Sequence, residues 1–430
     1  MSQRRSIELT DIASLLLSIY YTWYCLPFMR AAFSSTMYKY LFFGCFAAGT
    51  VLLVLARLQH NGMAITFQPW HSILVPVVLY MAVMSTLCLL QVGEASRHIR
   101  VSFTFWGTAI LYYLFSFDAT TRSRFGKYLL LLFSITVATS VVGIFMDSSV
   151  ARAITNASQQ AEAVARDYQL MRKNISGIYL FQSMVIFAPV TVMMIRYRRK
   201  PIWGAILLIC ITAAVLKASF TISLMLLIAG CSLALLFDRK GSVTLILILC
   251  LLLLLFLPMD KLLGFLADVI PNQYISTRLD EVSLFLGQGD VRGDLNLRLQ
   301  CYQYSLNTAF QHPLGVGPWY SYVVGEHGIG FHSEVMDDLA RYGIFALGFY
   351  LLFFYEYARL LREQWTKVGL ACVTFPVCTV YALFLLLNIG FRSADESIFM
   401  LFILPALPDI LLNAGYGRRV SLEEEGDESK

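Results

Sequence analysis

The sequence predicts an all-α polytopic membrane protein, and three observations support that prediction. Of the 430 residues, 58% are hydrophobic and only 14% are charged, whereas a soluble domain is about half apolar and about a quarter charged. The mean hydropathy is +0.65. Uncharged apolar runs such as Leu245 to Leu257 are unsuited to a water-exposed surface. Lipid is therefore the expected solvent for most of the chain.

Apolar stretches of about 20 residues recur along the chain, which is the length that a helix needs to cross a bilayer. We expect about twelve transmembrane helices, at 12–29, 38–56, 70–90, 99–117, 126–146, 176–195, 201–216, 218–237, 243–258, 338–358, 368–388 and 397–414. The predicted organisation is helices 1–9 over residues 1–258, a large helical extracytoplasmic loop over 259–337, helices 10–12 over 338–414, and an acidic, disordered cytoplasmic tail over 415–430.

The distribution of basic residues predicts the orientation of the chain. More than half of the 33 Lys and Arg residues lie in alternate connections that share a side with the N-terminus, and such connections are cytoplasmic by the positive-inside rule. Both termini are therefore expected in the cytoplasm and the 259–337 loop outside. No small-residue cleavage site follows the first apolar run, so we expect it to be a retained span.

Several classes of protein are disfavoured. The predicted spans hold almost no ionisable group at mid-depth apart from Asp409, whereas ion pumps and proton-coupled carriers need such groups there. Zinc, P-loop, Rossmann and Gly-x-Ser-x-Gly patterns are absent from the sequence. We therefore predict no metal, no cofactor and no nucleic-acid partner.

The outer loop contains one clear amphipathic pattern. Its apolar residues recur at helical spacing, which fits a helix that lays one face on the membrane or on the bundle: Leu295, Leu299, Tyr302, Leu306 and Phe310. Arg298 falls at the border of that stripe, where a guanidinium can meet a lipid headgroup. We expect His312 and Pro313 to end the helix and the glycine-rich residues up to Gly317 to form a tight turn.

A second helix start follows at His332. Ser333 is a candidate N-cap, with Glu334 in the first turn. The helix dipole disfavours a charged imidazole just before this position, so we expect His332 to be neutral and able to accept a proton. Asp337 and Arg341 are spaced for an ion pair on one helix face.

Arginines in the loop suggest an anionic ligand. Arg278, Arg292 and Arg298 lie in this segment, and the guanidinium fork suits a phosphate or diphosphate at the bilayer surface. Structural interpretations stay open beside this one: a loop arginine can be a solvated residue, and His312 and His327 can be turn residues.

These features occur in a recognisable order. Arg298 heads a helix, a Pro-Leu-Gly-Val-Gly turn follows at 313–317, and His332 opens a helix that continues into a Gly343-Ile344 step. The series resembles the outer-loop signature of the O-antigen polymerase and O-antigen ligase superfamily. Lys173–Gly177 is similar to that family's asparagine-containing start of a mid-chain span. Twelve spans with one large outer loop before the last three agree with the family layout.

The resemblance implies a metal-independent, inverting glycosyltransferase that uses an undecaprenyl-diphosphate-linked oligosaccharide. It implies Arg298 as a diphosphate ligand and His332 as the residue that activates the acceptor hydroxyl, with Glu334 as a weaker candidate. Lys217 lies where relatives often have a second arginine. The spacing of an arginine, ten residues and a glycine from some polymerases also occurs at Arg166 and Arg278, which are secondary candidates.

Three functions remain in competition at this stage. The first is a polysaccharide polymerase of O-antigen or capsule repeat units in the bacterial inner membrane, assisted by a chain-length regulator protein. The second is a ligase that transfers the glycan to lipid A core or another acceptor. The third, of another class, is a flippase for lipid-linked glycans. In all three the partners are membrane lipids and a lipid-linked oligosaccharide.

Overall fold

The computed structural model describes residues 8–61, 73–90, 103–146, 168–198, 200–218, 221–236, 259–269, 273–288, 293–317, 328–388 and 394–412. Every regular element in these ranges is helical, as the sequence predicts. The predicted span at 243–258 and the predicted acidic tail lie outside the described residues.

The described helices fall into three groups along the chain. Those before residue 259 are α1 (Leu9–Cys25), α2 (Pro27–Ala32), α3 (Thr36–Asn61), α4 (Leu74–Leu90), α5 (Phe103–Leu114), α6 (Ala119–Met146), α7 (Ile178–Arg196), α8 (Pro201–Ala218) and α9 (Thr221–Leu236). The segment 259–342 contains α10 (Met259–Val269), α11 (Gln273–Gln288), α12 (Gly293–Gln311) and α13 (Glu334–Tyr342). The last group is α14 (Ile344–Thr366), α15 (Thr374–Leu387), α16 (Ala394–Ile398) and α17 (Leu404–Leu411).

Five of the described helices are long and apolar enough to cross a membrane. They are α3, α6, α7, α8 and α14, and shorter apolar helices occur at Leu74–Leu87, Phe103–Phe117, Ile222–Leu236 and Ala371–Leu387. By the length and composition of these helices, the chain is therefore a helical membrane protein. The total of about twelve spans stays a prediction.

The helical bundle has an aromatic core. Helix α14 packs against α4 and α15, and its buried Phe353 ring stacks on Tyr357 with centroids 5.6 Å apart. Tyr381 of α15 meets the Tyr357 ring edge-on at 6.0 Å. Rings in such arrangements bury a large apolar area in a specific geometry.

A buried ion cluster joins three parts of the chain at Asp409. Arg122, in the first turn of α6, donates two hydrogen bonds to one Asp409 carboxylate oxygen, the one from Nε at 3.1 Å. Lys367 donates to the other oxygen at 2.9 Å. The Arg122 and Asp409 side chains are 6% and 7% exposed. Asp409 is thus neutralised by two cations, which explains how a carboxylate is tolerated inside a predicted span.

One predicted boundary is wrong. We expect a single span over 338–358, but the helix is divided at Gly343, where φ is 60°. A Cβ at Gly343 would lie 2.0 Å from the Pro313 carbonyl oxygen. The left-handed backbone and the close approach of the Pro313 turn both require glycine here. Helix α13 is therefore separate from the long apolar helix, which begins at Ile344.

The packing face of α12 also differs from its apolar stripe. Phe310 is 82% exposed and Leu299 is 37% exposed, whereas Ser305 and Thr308 are fully buried. Small hydroxyl side chains let another backbone approach closely and supply its hydrogen bonds. The most buried face of α12 is thus the one with Ser305 and Thr308, and the stripe is only partly buried beside it.

Candidate functional site

The candidate site is built around the loop at 328–333, which lies against α12. Gly330 donates its backbone N–H to the Ser305 hydroxyl at 2.9 Å. The Thr308 hydroxyl accepts from the Gly328 N–H at 2.7 Å and donates to the Gly328 carbonyl at 2.9 Å. A Cβ at Gly330 would lie 2.1 Å from the Cys301 carbonyl oxygen. Only glycine allows this approach, so the loop is closely held on the helix that carries Arg298.

His332 is oriented by its own loop. Its Nδ1 lies 3.0 Å from the Gly330 carbonyl oxygen. A carbonyl can only accept a hydrogen bond, so Nδ1 must carry the proton in this contact. In the neutral ring, Nε2 is then the acceptor nitrogen. The half-buried imidazole therefore presents the tautomer that a general base needs.

The predicted N-cap after His332 is confirmed. The Ser333 hydroxyl accepts from the Met336 backbone N–H at 3.1 Å. At the same end of α13, the Glu334 N–H donates to the Asn388 carbonyl at 3.0 Å. The start of α13 is therefore held both by its cap and by the end of α15, which restrains His332 beside it.

Phe331 is a residue that the sequence did not single out. Its φ is 57°, a left-handed conformation that is rare for a bulky residue. The Arg341 guanidinium lies 5.2 Å from the centre of its ring, in cation–π geometry. The ring is nevertheless 42% exposed. A strained backbone next to His332 agrees with the tendency of strain to occur at functional sites.

Arg298 lies in a cluster at the interface of α12 and α13. Its side chain hydrogen-bonds to the Tyr302 hydroxyl, and that hydroxyl donates to the Leu387 carbonyl at 2.8 Å. Burial raises the pKa of the Tyr302 phenol, and the Arg298 guanidinium opposes the rise. Burial also raises the pKa of the Cys301 thiol; Asp337 adds to that rise and Arg298 opposes it. Arg298 is thus half-buried beside an aromatic hydroxyl and near a carboxylate.

The predicted ion pair between Asp337 and Arg341 is not the one that forms. Arg341 Nη1 lies 3.2 Å from Asp338 Oδ1, while Asp337 Oδ1 accepts from the Ser305 hydroxyl at 2.6 Å. Asp338 also accepts from Tyr80 at 3.0 Å and from Tyr350 at 2.9 Å. The pair that forms is also a pair on one helix, with a spacing of three residues instead of four. Spacing alone could not decide between the two carboxylates, because their other partners come from other helices.

Glu334 is placed differently from His332. Its side chain is only 2% exposed, and its charge acts on the fully buried Glu396 at the start of α16. It lies close to Tyr350 and Tyr381 as well. Glu334 therefore points to the bundle interior, which makes it a weaker candidate than His332 for accepting a proton from a large substrate.

The secondary basic candidates are dispersed. Arg278 on α11 forms a 2.7 Å ion pair with Glu281, whose carboxylate lies next to Gly293 at the start of α12. Lys217 is exposed in the last turn of α8. His312 is exposed where α12 ends, as predicted. Arg292, Arg166 and His327 lie outside the described residues.

The segment Lys173–Gly177, before α7, is held in place by Asn174. Asn174 has a φ of 58°, and its amide donates to the Thr139 hydroxyl at 3.1 Å. Thr139 in turn donates to the Asn174 carbonyl at 2.6 Å. Asn174 thereby joins the start of α7 to α6, and asparagine is one of the few side chains that tolerate this backbone conformation.

Comparison with models of known protein families found no match, and comparison with curated proteins found none either. Within the described ranges, no group of three or more His, Cys, Asp or Glu side chains is arranged to hold a metal ion. The candidate site is therefore defined by its own geometry: an oriented imidazole and a half-buried guanidinium on two segments that meet at Cys301.

Proposed function

We propose that this protein is a polysaccharide polymerase, which transfers a growing glycan from undecaprenyl diphosphate to a lipid-linked repeat unit. One observation supports the proposal most: the Gly330 backbone meets α12 at Cys301, so the loop of His332 and the helix of Arg298 form one unit. A base and a diphosphate ligand must be held together for this reaction, since catalysis depends on positioning.

The proposed step is a direct displacement at the anomeric carbon of the donor. A hydroxyl oxygen of the acceptor sugar forms the new bond, and the bond from the anomeric carbon to the diphosphate oxygen breaks. His332 Nε2 takes the hydroxyl proton, and Arg298 stabilises the negative charge that develops on the departing undecaprenyl diphosphate. The configuration inverts, and cleavage of the bond between the anomeric carbon and the diphosphate supplies the driving force without a metal ion.

Other basic residues are proposed as helpers. Arg278, Arg292, Lys217 and Arg166 are proposed to attract the diphosphate toward Arg298 from the surrounding surface. Of the described two, Arg278 is near the start of α12 through its Glu281 partner. The lysine at 217 keeps the positive charge but lacks the bidentate fork, so its proposed contribution is smaller.

The finer topology also belongs to this proposal. It comprises about twelve spans in the bacterial cytoplasmic membrane, both termini in the cytoplasm, and the candidate site on the outer side. A chain-length regulator protein is the proposed partner. The outer location follows from the positive-inside distribution of basic residues.

A reconstitution assay separates this function from its competitors. The purified protein in proteoliposomes is given the undecaprenyl-diphosphate-linked repeat unit alone, and products are resolved by electrophoresis. A ladder of longer glycans is expected of a polymerase. Product only after addition of lipid A core would identify a ligase, and movement of the intact lipid across the bilayer without a new glycosidic bond would identify a flippase.

A further inference from the structure

An exposed apolar stripe runs along one face of α14. Ile344, Leu347, Leu351 and Tyr355 recur every three or four residues and are 62%, 43%, 66% and 66% exposed. Helix α14 is long and apolar enough to cross a membrane. A stripe of this kind on such a helix faces the acyl chains of lipids.

This apolar surface continues onto the end of α12. The Ile344 N–H donates to the Pro313 carbonyl at 2.9 Å, so the turn after α12 lies against the first turn of α14. Leu314 in that turn is 67% exposed, and Phe310 in the last turn of α12 is 82% exposed. The exposed Leu314 of the turn and the exposed Ile344 at the start of α14 are thus neighbours, and Phe310 lies one helical turn before Leu314.

The rest of α12 prevents these side chains from turning inward. The opposite face is held by Ser305, which bonds to Gly330 and Asp337, and by Thr308, which bonds to Gly328. Rotating α12 to bury Phe310 would break these buried hydrogen bonds. Among the residues that the structure describes, none therefore covers Phe310 and Leu314.

We propose that the C-terminal end of α12 and the Pro313–Gly317 turn insert into the outer leaflet, with Phe310 and Leu314 among the lipid acyl chains. The occupant of this surface is lipid because the surface is continuous with the lipid-facing stripe of α14. His312, exposed between the two apolar residues, lies at the headgroup level, as polar residues do in an interfacial helix.

The insertion determines the depth of the candidate site, and it stands without the proposed function. Helix α13 separates Gly343 from Ser333. At about 1.5 Å per residue its nine residues cover ~14 Å. The two residues before the helix, His332 and the extended Ser333, add at most ~7 Å, so His332 lies within ~21 Å of the level of Gly343. The site is then within reach of a lipid headgroup.

Photocrosslinking tests the insertion. The photoreactive residue p-benzoylphenylalanine replaces Phe310 or, in a second variant, Leu314; each full-length protein is reconstituted in vesicles of phosphatidylethanolamine and phosphatidylglycerol. Ile344 is replaced likewise as the lipid-facing reference, and Gln300, exposed about 15 Å earlier on α12, as the matched control. After irradiation, lipid adducts are quantified by mass spectrometry, and folding is checked by size-exclusion chromatography.

Adducts at 310 and 314 within about threefold of the yield at 344, with only background at 300, are expected. Background yield at both 310 and 314 while 344 is labelled would overturn the insertion. A protein dimer crosslinked through position 310 would also overturn it, because the surface would then be covered by a second copy. Because both side chains are exposed, their replacement is expected to leave folding intact. If one variant does not fold, the yield of the other against position 344 decides.

Discussion

The Ser305 hydroxyl donates a 2.6 Å hydrogen bond to Asp337 and accepts one from the Gly330 backbone at 2.9 Å. A single buried oxygen thus connects α12, α13 and the loop that precedes His332. Because Arg298 is on α12 and His332 is on that loop, the relative position of the two candidate residues depends on this contact.

We predict that Ser305→Ala lowers stability. The substitution removes the donor to a buried carboxylate and leaves the Gly330 N–H without its acceptor, and each such loss costs about 1–3 kcal/mol. The apparent Tm of the purified protein, measured by intrinsic fluorescence, should fall by several degrees. Thr277→Ala is the matched control, because its exposed hydroxyl bonds only to Gln273 within α11. An equal effect of both substitutions would contradict the connecting role of Ser305.

Gly330→Ala should separate the loop from α12. The added methyl group would lie 2.1 Å from the Cys301 carbonyl oxygen, so the backbone itself must move. We expect loss of transferase activity of at least tenfold and a lower Tm. Gly348→Ala on α14 is the control, since a Cβ there meets nothing within 4 Å and alanine favours a helix. Retained activity in the Gly330 variant would show that the close contact is unnecessary.

The reactivity of Cys301 should respond to Arg298. Burial and Asp337 raise the pKa of the Cys301 thiol and Arg298 opposes the rise, so Arg298→Gln should raise that pKa further. Because the thiolate is the reactive form, alkylation of Cys301 at pH 8 should slow by roughly two- to tenfold. Peptide mass spectrometry over a pH series measures the rate. Arg278→Gln is the control. An unchanged alkylation rate in the Arg298 variant would show that the Arg298 charge does not act on the Cys301 thiol.

Asp409→Asn should destabilise the bundle strongly. It leaves the buried Arg122 guanidinium without its compensating charge, and breaking a buried pair in this way costs about 3–5 kcal/mol. Arg124→Ala is the control, because its 3.7 Å contact with Asp11 is exposed and such pairs contribute about 0–1 kcal/mol. The comparison is made by thermal unfolding in detergent. Similar Tm values for the two variants would refute a stabilising role for the Asp409 cluster.

Local features of the structure could be predicted from the sequence. The Ser333 cap, the end of α12 before His312 and the helical class of the chain depend on neighbouring residues and on periodicity. Each of these features depends on residues that are close together in sequence, so the pattern of residue types is sufficient to predict them.

Long-range features could not be predicted. The partners of Asp409 are 287 and 42 residues away in sequence, and Asp338 accepts hydrogen bonds from tyrosines of α4 and α14. The sequence shows the apolar stripe of α12, but it does not show that Ser305 and Thr308 form the most buried face. Such choices depend on which helices meet, and spacing along one helix contains no information about that.

The most direct test of the central claim is the polymerisation rate of the Arg298→Ala and His332→Ala variants. Each is reconstituted in proteoliposomes with the lipid-linked repeat unit, beside Gln303→Ala as an exposed control on α12. We predict that both variants keep a wild-type Tm but lose about 100-fold or more of the rate, since each removes one catalytic contribution. A near wild-type ladder from either folded variant would contradict the assignment of that residue to the catalytic site.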